Sequence, residues 1–130
     1  MKTRDAVIIY RLIGQASVAK MDDADKLAML RIMRAVKPIC AEFDDARKDA
    51  FERSKPEGYD DRVRQHLPPT AEDAAFQRNL GEYVDELMEK EVAVSYERLP
   101  QKAVETFELS NGYSLEQMML LEGYLVQEKK

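Results

Sequence analysis

The stretch from Met21 to Ser54 constrains the fold more than any other part of the chain. It reads MDDADKLAMLRIMRAVKPICAEFDDARKDAFERS. Its apolar residues recur at alternating steps of three and four, which places them on one face of a helix in heptad register: Met29, Ile32, Val36, Ile39, Phe43, Ala46 and Ala50. Such a helix would be about 48 Å long. It cannot bury this stripe alone, so another part of the chain or a second copy must cover it.

Pro38 lies in the middle of this predicted helix. A proline there removes one backbone hydrogen bond and crowds the preceding turn, at a cost of about 3 kcal/mol. The stripe nevertheless keeps its phase on both sides, through Val36, Ile39 and Phe43. The pattern therefore favours one continuous helix, kinked at Pro38, over two separate helices.

A shorter helix is predicted before the long one, between Thr3 and Gly14, with Thr3 as its cap. Its apolar residues follow helical spacing: Ala6, Ile9, Tyr10 and Ile13. The connection to the long helix is short, and short connections make neighbouring helices pack antiparallel. Residues 1–55 are therefore expected to form a helical hairpin.

Residues 56–70 are interpreted as a linker, and residues 71–90 as a second amphipathic helix. The linker contains three of the five prolines, has room for a helical turn at 60–65, and has Leu67 as its expected anchor. Thr70 and Asp73 have the spacing of a capping box. The stripe of the second helix consists of Phe76, Leu80, Tyr83 and Leu87. We predict that this stripe covers Val36, Ile39 and Phe43 and forms the main core with them.

Residues 91–130 are predicted to form a short strand followed by two short helices. Val92, Val94 and Tyr96 alternate with small residues, which is typical of an extended segment at 92–96. Asn111 and Gly112 end the first helix, and Ser114 with Gln117 has the capping-box spacing for the second. This pair has the outline of a helix–turn–helix. Its second helix carries Glu116, Glu122 and Glu128, however, which opposes contact with phosphate.

The length of 130 residues predicts one domain, spanning residues 1–130. The net charge of −5 is unevenly distributed. Residues 1–37 hold eight lysines and arginines against four aspartates, and residues 71–91 hold two basic residues against seven acidic ones. These blocks either face each other, within the fold or between subunits, or form two solvated faces. The sequence contains no membrane-spanning run, and the cytoplasm is the expected compartment.

Residue types that carry catalysis or bind metals are scarce. His66 and Cys40 are the single histidine and the single cysteine, and they are interpreted as a loop side chain and a buried thiol. Glu42, Asp45 and Asp49 share one helix face, but basic residues interrupt the acidic ones. The sequence also contains no glycine-rich phosphate loop. We therefore predict no enzyme, no catalytic residue, no cofactor or metal site, and no small-molecule substrate.

The layout resembles that of small proteins of unknown function encoded by bacteriophages and prophages near virion and tail genes. The matching features are FQRNLGEYVDELMEKEVAV, in which a helix runs directly into a strand, and the ending SLEQMMLLEGYLV. None of these motifs is catalytic, so the resemblance implies an assembly or accessory role and carries over no functional residue.

Together these patterns predict a mainly α-helical bundle built on one long, kinked helix, with a short strand near 92–96. The expected function is that of a non-enzymatic interaction or assembly protein that binds a protein partner or associates with itself. The alternative is a small regulatory protein, a transcriptional or anti-repressor factor, that acts on a protein or DNA partner. Its motivation is the basic N-terminal block: Lys2, Arg4, Arg11 and Lys20.

Overall fold

The computed structural model describes residues 1–127, and these residues are mainly helical. Six helices follow one another along this part of the chain: α1 (Thr3–Gly14), α2 (Asp23–Ser54), α3 (Tyr59–Arg64), α4 (Ala71–Glu89), α5 (Gln101–Asn111) and α6 (Leu115–Leu125). The mainly α-helical class and the single long helix are therefore confirmed. The predicted turn at 60–65 corresponds to α3.

Helix α1 packs antiparallel on the middle of α2, as the short connection predicted. Gly14, at the end of α1, lies beside Met33. Near the start of α1, the carbonyl of Ala6 accepts a hydrogen bond from the Cys40 thiol, 3.7 Å away. Thr3 is the first helical residue rather than the cap, and its hydroxyl donates to the carbonyl of Lys90 at 2.9 Å. This contact joins the start of α1 to the end of α4.

The main core is closed by α5 and α6, and not by α4. It consists of buried residues from α1, the start of α2, α5 and α6, with Met21 and Leu99 from the adjoining segments: Ala6, Ile9, Ile13, Met21, Met29, Ile32, Val36, Leu99, Ala103, Val104, Phe107, Leu121 and Leu125. The prediction that α4 covers Val36 and Ile39 is therefore wrong. Val36 lies in this core, and Ile39 packs against it.

Helix α4 covers only the later half of α2. Phe43 forms a second, smaller cluster with Val7 and Cys40, against which Leu87 packs. Phe76, near the start of α4, instead stacks edge-to-face on Phe51, with ring centroids 5.4 Å apart. Because α4 runs antiparallel to α2 from Phe51 back to Phe43, its stripe cannot reach Val36. The predicted contact of Phe43 with Leu87 is confirmed, whereas Tyr83 is exposed.

The linker is held down by groups other than the one expected. Leu67 is exposed, so it does not anchor the segment. Tyr59 of α3 packs edge-to-face on Phe76, with centroids 5.0 Å apart. Arg62 donates to both carboxylate oxygens of Asp73, at 2.8 and 2.6 Å. The linker therefore docks on α4 through an aromatic contact, a bidentate ion pair and a hydrogen bond that Gln77 donates to the Tyr59 hydroxyl at 3.1 Å.

Both predicted capping boxes are present. The Thr70 hydroxyl accepts from the Asp73 backbone N–H at 3.0 Å, and the Asp73 carboxylate accepts from the Thr70 N–H at 3.1 Å. Ser114 and Gln117 make the same reciprocal bonds at the start of α6. Gly112 ends α5 at φ +63°, a conformation that glycine adopts without strain. These local signals fix where α4 begins and where α5 turns into α6.

The strand predicted at 92–96 is not confirmed in the described chain. Isolated bridges flank the segment, one between Lys2 and Glu91 and one between Leu99 and Val126. Tyr96 packs against the main core and donates from its hydroxyl to the Tyr124 carbonyl at 2.7 Å. The segment is thus held by side chains and by single backbone contacts, and no second strand within residues 1–127 lies along it.

Helix α2 runs without interruption through Pro38, so the two halves of the stripe belong to one helix. The kink predicted there stays a prediction.

Replacing Pro38 with Ala is expected to raise the free energy of unfolding by about 2 kcal/mol. The substitution restores a backbone N–H donor and relieves crowding in the preceding turn. Part of this gain is offset, because the unfolded chain without the proline has more conformational entropy. Thermal unfolding followed by circular dichroism measures this change. The control is Ala41→Pro, one turn later on the same exposed side of α2, which should lower the melting temperature of the protein. A lower melting temperature for Pro38→Ala would contradict the prediction.

Candidate interaction surface

The single cysteine and the single histidine lie on different elements and are not joined by any hydrogen bond in residues 1–127. Cys40 is buried beneath α1, and this burial raises the pKa of its thiol. His66 is exposed in the turn after α3, with φ +55°. The prediction of a buried thiol and a loop histidine is confirmed in placement. Burial of Cys40 disfavours the thiolate form, which is the reactive one.

Of the three carboxylates predicted to share one face of α2, Asp49 takes part in a surface ion pair, and so does Asp23 at the start of the helix. Asp49 accepts from Arg53 one turn later, and Asp23 lies 3.7 Å from the Lys26 ammonium. In the part of the chain that the structure describes, no three acidic, histidine or cysteine side chains are grouped so that they could hold a metal ion. Exposed pairs of this kind contribute about 0–1 kcal/mol each to stability.

Part of the basic N-terminus pairs with the acidic block inside the fold. Lys2 and Arg4 both donate to the carboxylate of Glu89, the last residue of α4. The N-terminal amine lies 3.2 Å from the carboxylate of Glu91. The expectation that opposite charge blocks face each other is therefore correct for the ends of α1 and α4. It does not extend to the basic residues of α2.

The exposed side of α2 between Lys26 and Ala41 is basic and partly apolar. This stretch contains four basic residues and no acidic one. Arg31, Arg34 and Lys37 are exposed, and none of the ion pairs within residues 1–127 includes them. Leu27 and Leu30 lie among them with 53% and 44% of their surface exposed. We call these five residues the basic α2 face.

The hairpin formed by α5 and α6 exposes three large apolar side chains. Leu109 in the last turn of α5 is 87% exposed, and Leu115 and Met119 of α6 are 78% and 75% exposed. Leu115 and Met119 are one turn apart and share a side of α6 with the exposed Glu122. Glu116 is exposed beside them. We call Leu109, Leu115, Met119, Glu116 and Glu122 the acidic hairpin face.

This exposure was not foreseen from the sequence. Leu115, Met119, Leu121 and Leu125 are all apolar residues of α6, but of these four only Leu121 and Leu125 are buried. The signal was present, because the apolar residues of α6 surround the helix and do not form one stripe. A helix that is apolar on several sides needs more than one partner surface.

Glu108 is a buried carboxyl beside the acidic hairpin face. Its Oε2 atom has no hydrogen-bond partner in the described chain. Burial first, and then the charge of Glu122, raise the pKa of Glu108 to about 7. Glu105 adds a smaller effect of the same sign. Because no basic side chain offsets these groups, Glu108 is easiest to accommodate when it is protonated.

Glu108 should make the stability of the fold depend on pH. Its pKa in the folded state lies above its ordinary value of 4.5, so its stabilising effect is complete below about 4.5 and is lost as the pH rises through 7. We expect Glu108→Gln to abolish this loss and to melt at a higher temperature than the wild type at pH 8. Melting curves between pH 5 and 8 measure the effect. The control is Glu105→Gln, on the exposed side of α5, which should keep most of the pH dependence. A wild-type melting temperature that does not change between pH 5 and 8 would contradict the raised pKa of Glu108.

An open groove of about 700 Å³ lies between the end of α2 and α4. Ala50, Leu80 and Tyr83 form its apolar part, and Arg53 and Glu72 lie at its polar part. It lies beside the aromatic contact between Phe76 and Phe51. The groove leaves Tyr83 exposed where the sequence predicted a buried contact.

The chain matches no protein-family model, no curated protein and no solved structure. Among residues 1–127, no helix combines the length and the apolar character that crossing a bilayer requires.

Proposed function

We propose that this is a non-enzymatic interaction protein that assembles through self-association. The observation that carries the proposal is the exposure of five large apolar side chains on two charged faces: Leu27 and Leu30 on the basic α2 face, and Leu109, Leu115 and Met119 on the acidic hairpin face. Single exposed apolar residues are common on protein surfaces, but grouped ones rimmed by charge are typical of interaction sites.

The internal packing supports the same proposal. Thirteen residues close one core that includes the first and last helices, so the exposed groups are not needed to complete the fold. The buried stripe of α2 faces α1 and the α5–α6 hairpin, while Leu27, Leu30 and Arg31 on its opposite side are exposed in the described part of the chain. Apolar surface left outside a complete core is available to a partner.

Sedimentation velocity of the purified protein tests self-association. We expect the weight-average sedimentation coefficient to rise between low and high micromolar concentration at physiological salt, and to fall when salt is added, because screening weakens attraction between charged faces. A single species with the mass of one chain at every concentration would refute self-association.

A second candidate function is that of a small regulatory protein that binds DNA. The observation in its favour is the basic α2 face, where Arg31, Arg34 and Lys37 have no acidic neighbours in the stretch from Lys26 to Ala41. The N-terminal residues that first suggested it are weaker support, since Lys2 and Arg4 pair with Glu89. A mobility-shift assay at low salt is the test, because phosphate contacts are strongest there. No shift at tens of micromolar protein would remove this candidate.

Three finer elements belong to the same proposal. We place the protein in the cytoplasm and connect its assembly role with a phage or prophage origin, on the basis of the motifs quoted above. The segment at 92–96 offers extended backbone that a strand from a partner could pair with. The kink at Pro38 would direct the later half of α2 toward α4.

A further inference from the structure

We infer that successive copies of the chain associate head to tail, with the basic α2 face of one copy bound to the acidic hairpin face of the next. This inference deepens the proposed function, on which it rests, by naming the two surfaces and their partner. The occupant of each face is thus a second copy of this chain.

The two faces are complementary in charge. Arg31, Arg34 and Lys37 provide positive charge on α2 without an acidic side chain in the same stretch. Glu116 and Glu122 provide negative charge on α6, and no basic residue occurs between Tyr113 and Gln127. None of these five charged side chains takes part in an ion pair within residues 1–127, so their charges remain available to a partner.

The two faces also match in apolar character. Leu27 and Leu30 lie on the same side of α2 as Arg34, at spacings of three to seven residues. On the other face, Leu115 and Met119 lie one turn apart on α6, with Glu122 three residues further along. Each face therefore combines two neighbouring apolar side chains with flanking charge of one sign. An apolar centre with a charged rim is the usual anatomy of a protein interface.

A contact between two different faces is heterologous. Copies joined in this way form a closed ring if the rotation between them closes, and an open chain if it does not. Two identical basic faces, or two identical acidic faces, would repel each other. Charge therefore selects the pairing of unlike faces over a dimer in which like faces meet.

Charge reversal on each face tests this pairing. The first variant carries Arg31→Glu and Arg34→Glu, and the second carries Glu116→Lys and Glu122→Lys. Each variant presents two faces of like sign, so each alone should lose self-association by roughly tenfold or more. An equimolar mixture of the two should regain it, because the reversed α2 face of the first variant meets the reversed hairpin face of the second, and the two unreversed faces meet each other, in both cases with opposite charge. A chain with all four substitutions should also associate.

A matched control reverses two acidic residues elsewhere. The control carries Glu82→Lys and Asp85→Lys on the exposed side of α4. It makes the same change in net charge as the second variant and should leave self-association unchanged. Circular dichroism checks that each variant keeps its helical content. The readout is sedimentation velocity for each variant, for the mixture and for the wild type.

The possible failures can be told apart. If the wild type does not associate at all, both the proposed function and this inference are wrong. If the wild type associates and the first two variants associate equally well, self-association stands and the two faces are wrong. Loss of association in the α4 control, or no recovery in the mixture of correctly folded variants, would likewise overturn the assignment of faces.

Discussion

Replacing Phe107 with Ala is expected to lower the free energy of unfolding by about 3–5 kcal/mol, because it removes a fully buried ring and leaves a cavity. Phe107 lies in the main core, and its ring packs against that of Tyr113 at a centroid distance of 5.5 Å. It links the α5–α6 hairpin to α1 and α2. A loss of this size is a large share of the stability of a small domain.

Chemical denaturation followed by circular dichroism measures the effect of Phe107→Ala. Leu109→Ala is the matched control, since Leu109 is two residues away on the same helix but 87% exposed. We expect the control to change the free energy of unfolding by less than about 0.5 kcal/mol. Equal effects of the two substitutions would show that α5 is oriented differently, with Leu109 as part of the core.

Replacing Asp73 with Ala is expected to lower the melting temperature by roughly 10 °C, because it leaves Arg62 without its partner and removes half of the capping box. Asp73 is buried and accepts two hydrogen bonds from Arg62 and one from the Thr70 backbone. The same substitution removes the ion pair that helps to hold α3 on α4. Thermal unfolding at neutral pH measures it.

The effect of Asp73→Ala should depend on pH in a defined way. The hydrogen bond from Arg62 is the main cause that lowers the pKa of Asp73 to about 2 from its ordinary value of 3.8. The stabilisation is therefore complete above about 3.8 and is lost as the pH falls through 2. The difference in melting temperature between the wild type and the Asp73→Ala variant should therefore decrease as the pH falls over that range. Asp61→Ala, which breaks an exposed pair with Arg64, is the control and should hardly change the melting temperature; an equally small effect of Asp73→Ala would contradict a structural role for the ion pair.

Local signals in the sequence predicted the helices well. The stripe from Met29 to Phe43 defines one face of α2, and Thr70 and Ser114 begin α4 and α6 through capping boxes that depend on residues only three positions apart. Asn111 and Gly112 end α5 through a conformation that glycine favours. Each of these features is decided within one or two turns, so sequence alone is sufficient.

The choice of partner for the long helix could not be predicted in the same way. The stripes of α4 and of the α5–α6 hairpin are both apolar, and nothing in their spacing says which one covers Val36. That choice depends on where α4 starts. The docking of Tyr59 on Phe76 and of Arg62 on Asp73 sets that start near the end of α2, and these contacts involve residues of the linker. As a result Phe43 packs in the small cluster with Val7 and Cys40, whereas Leu80 lines the groove between α4 and the end of α2.

The candidate surface was the least predictable part. Leu115 and Met119 are as apolar as Leu121 and Leu125, and only the packing of α6 decides which pair is buried. The charge pattern indicated the basic α2 face more clearly than the apolar pattern indicated the acidic hairpin face, since the absence of acidic residues between Lys26 and Ala41 is visible in the sequence. The sequence did not show that this stretch lies opposite the buried stripe and beside exposed leucines.

Small-angle X-ray scattering over a concentration series tests the central claim, self-association of a folded chain, most directly. Its forward intensity gives the mean mass of the particles in solution. We predict a mean mass that rises with concentration well above the 15.0 kDa of a single chain, while the scattering stays that of compact, folded units. A mean mass that remains at 15.0 kDa up to the highest soluble concentration would contradict the account.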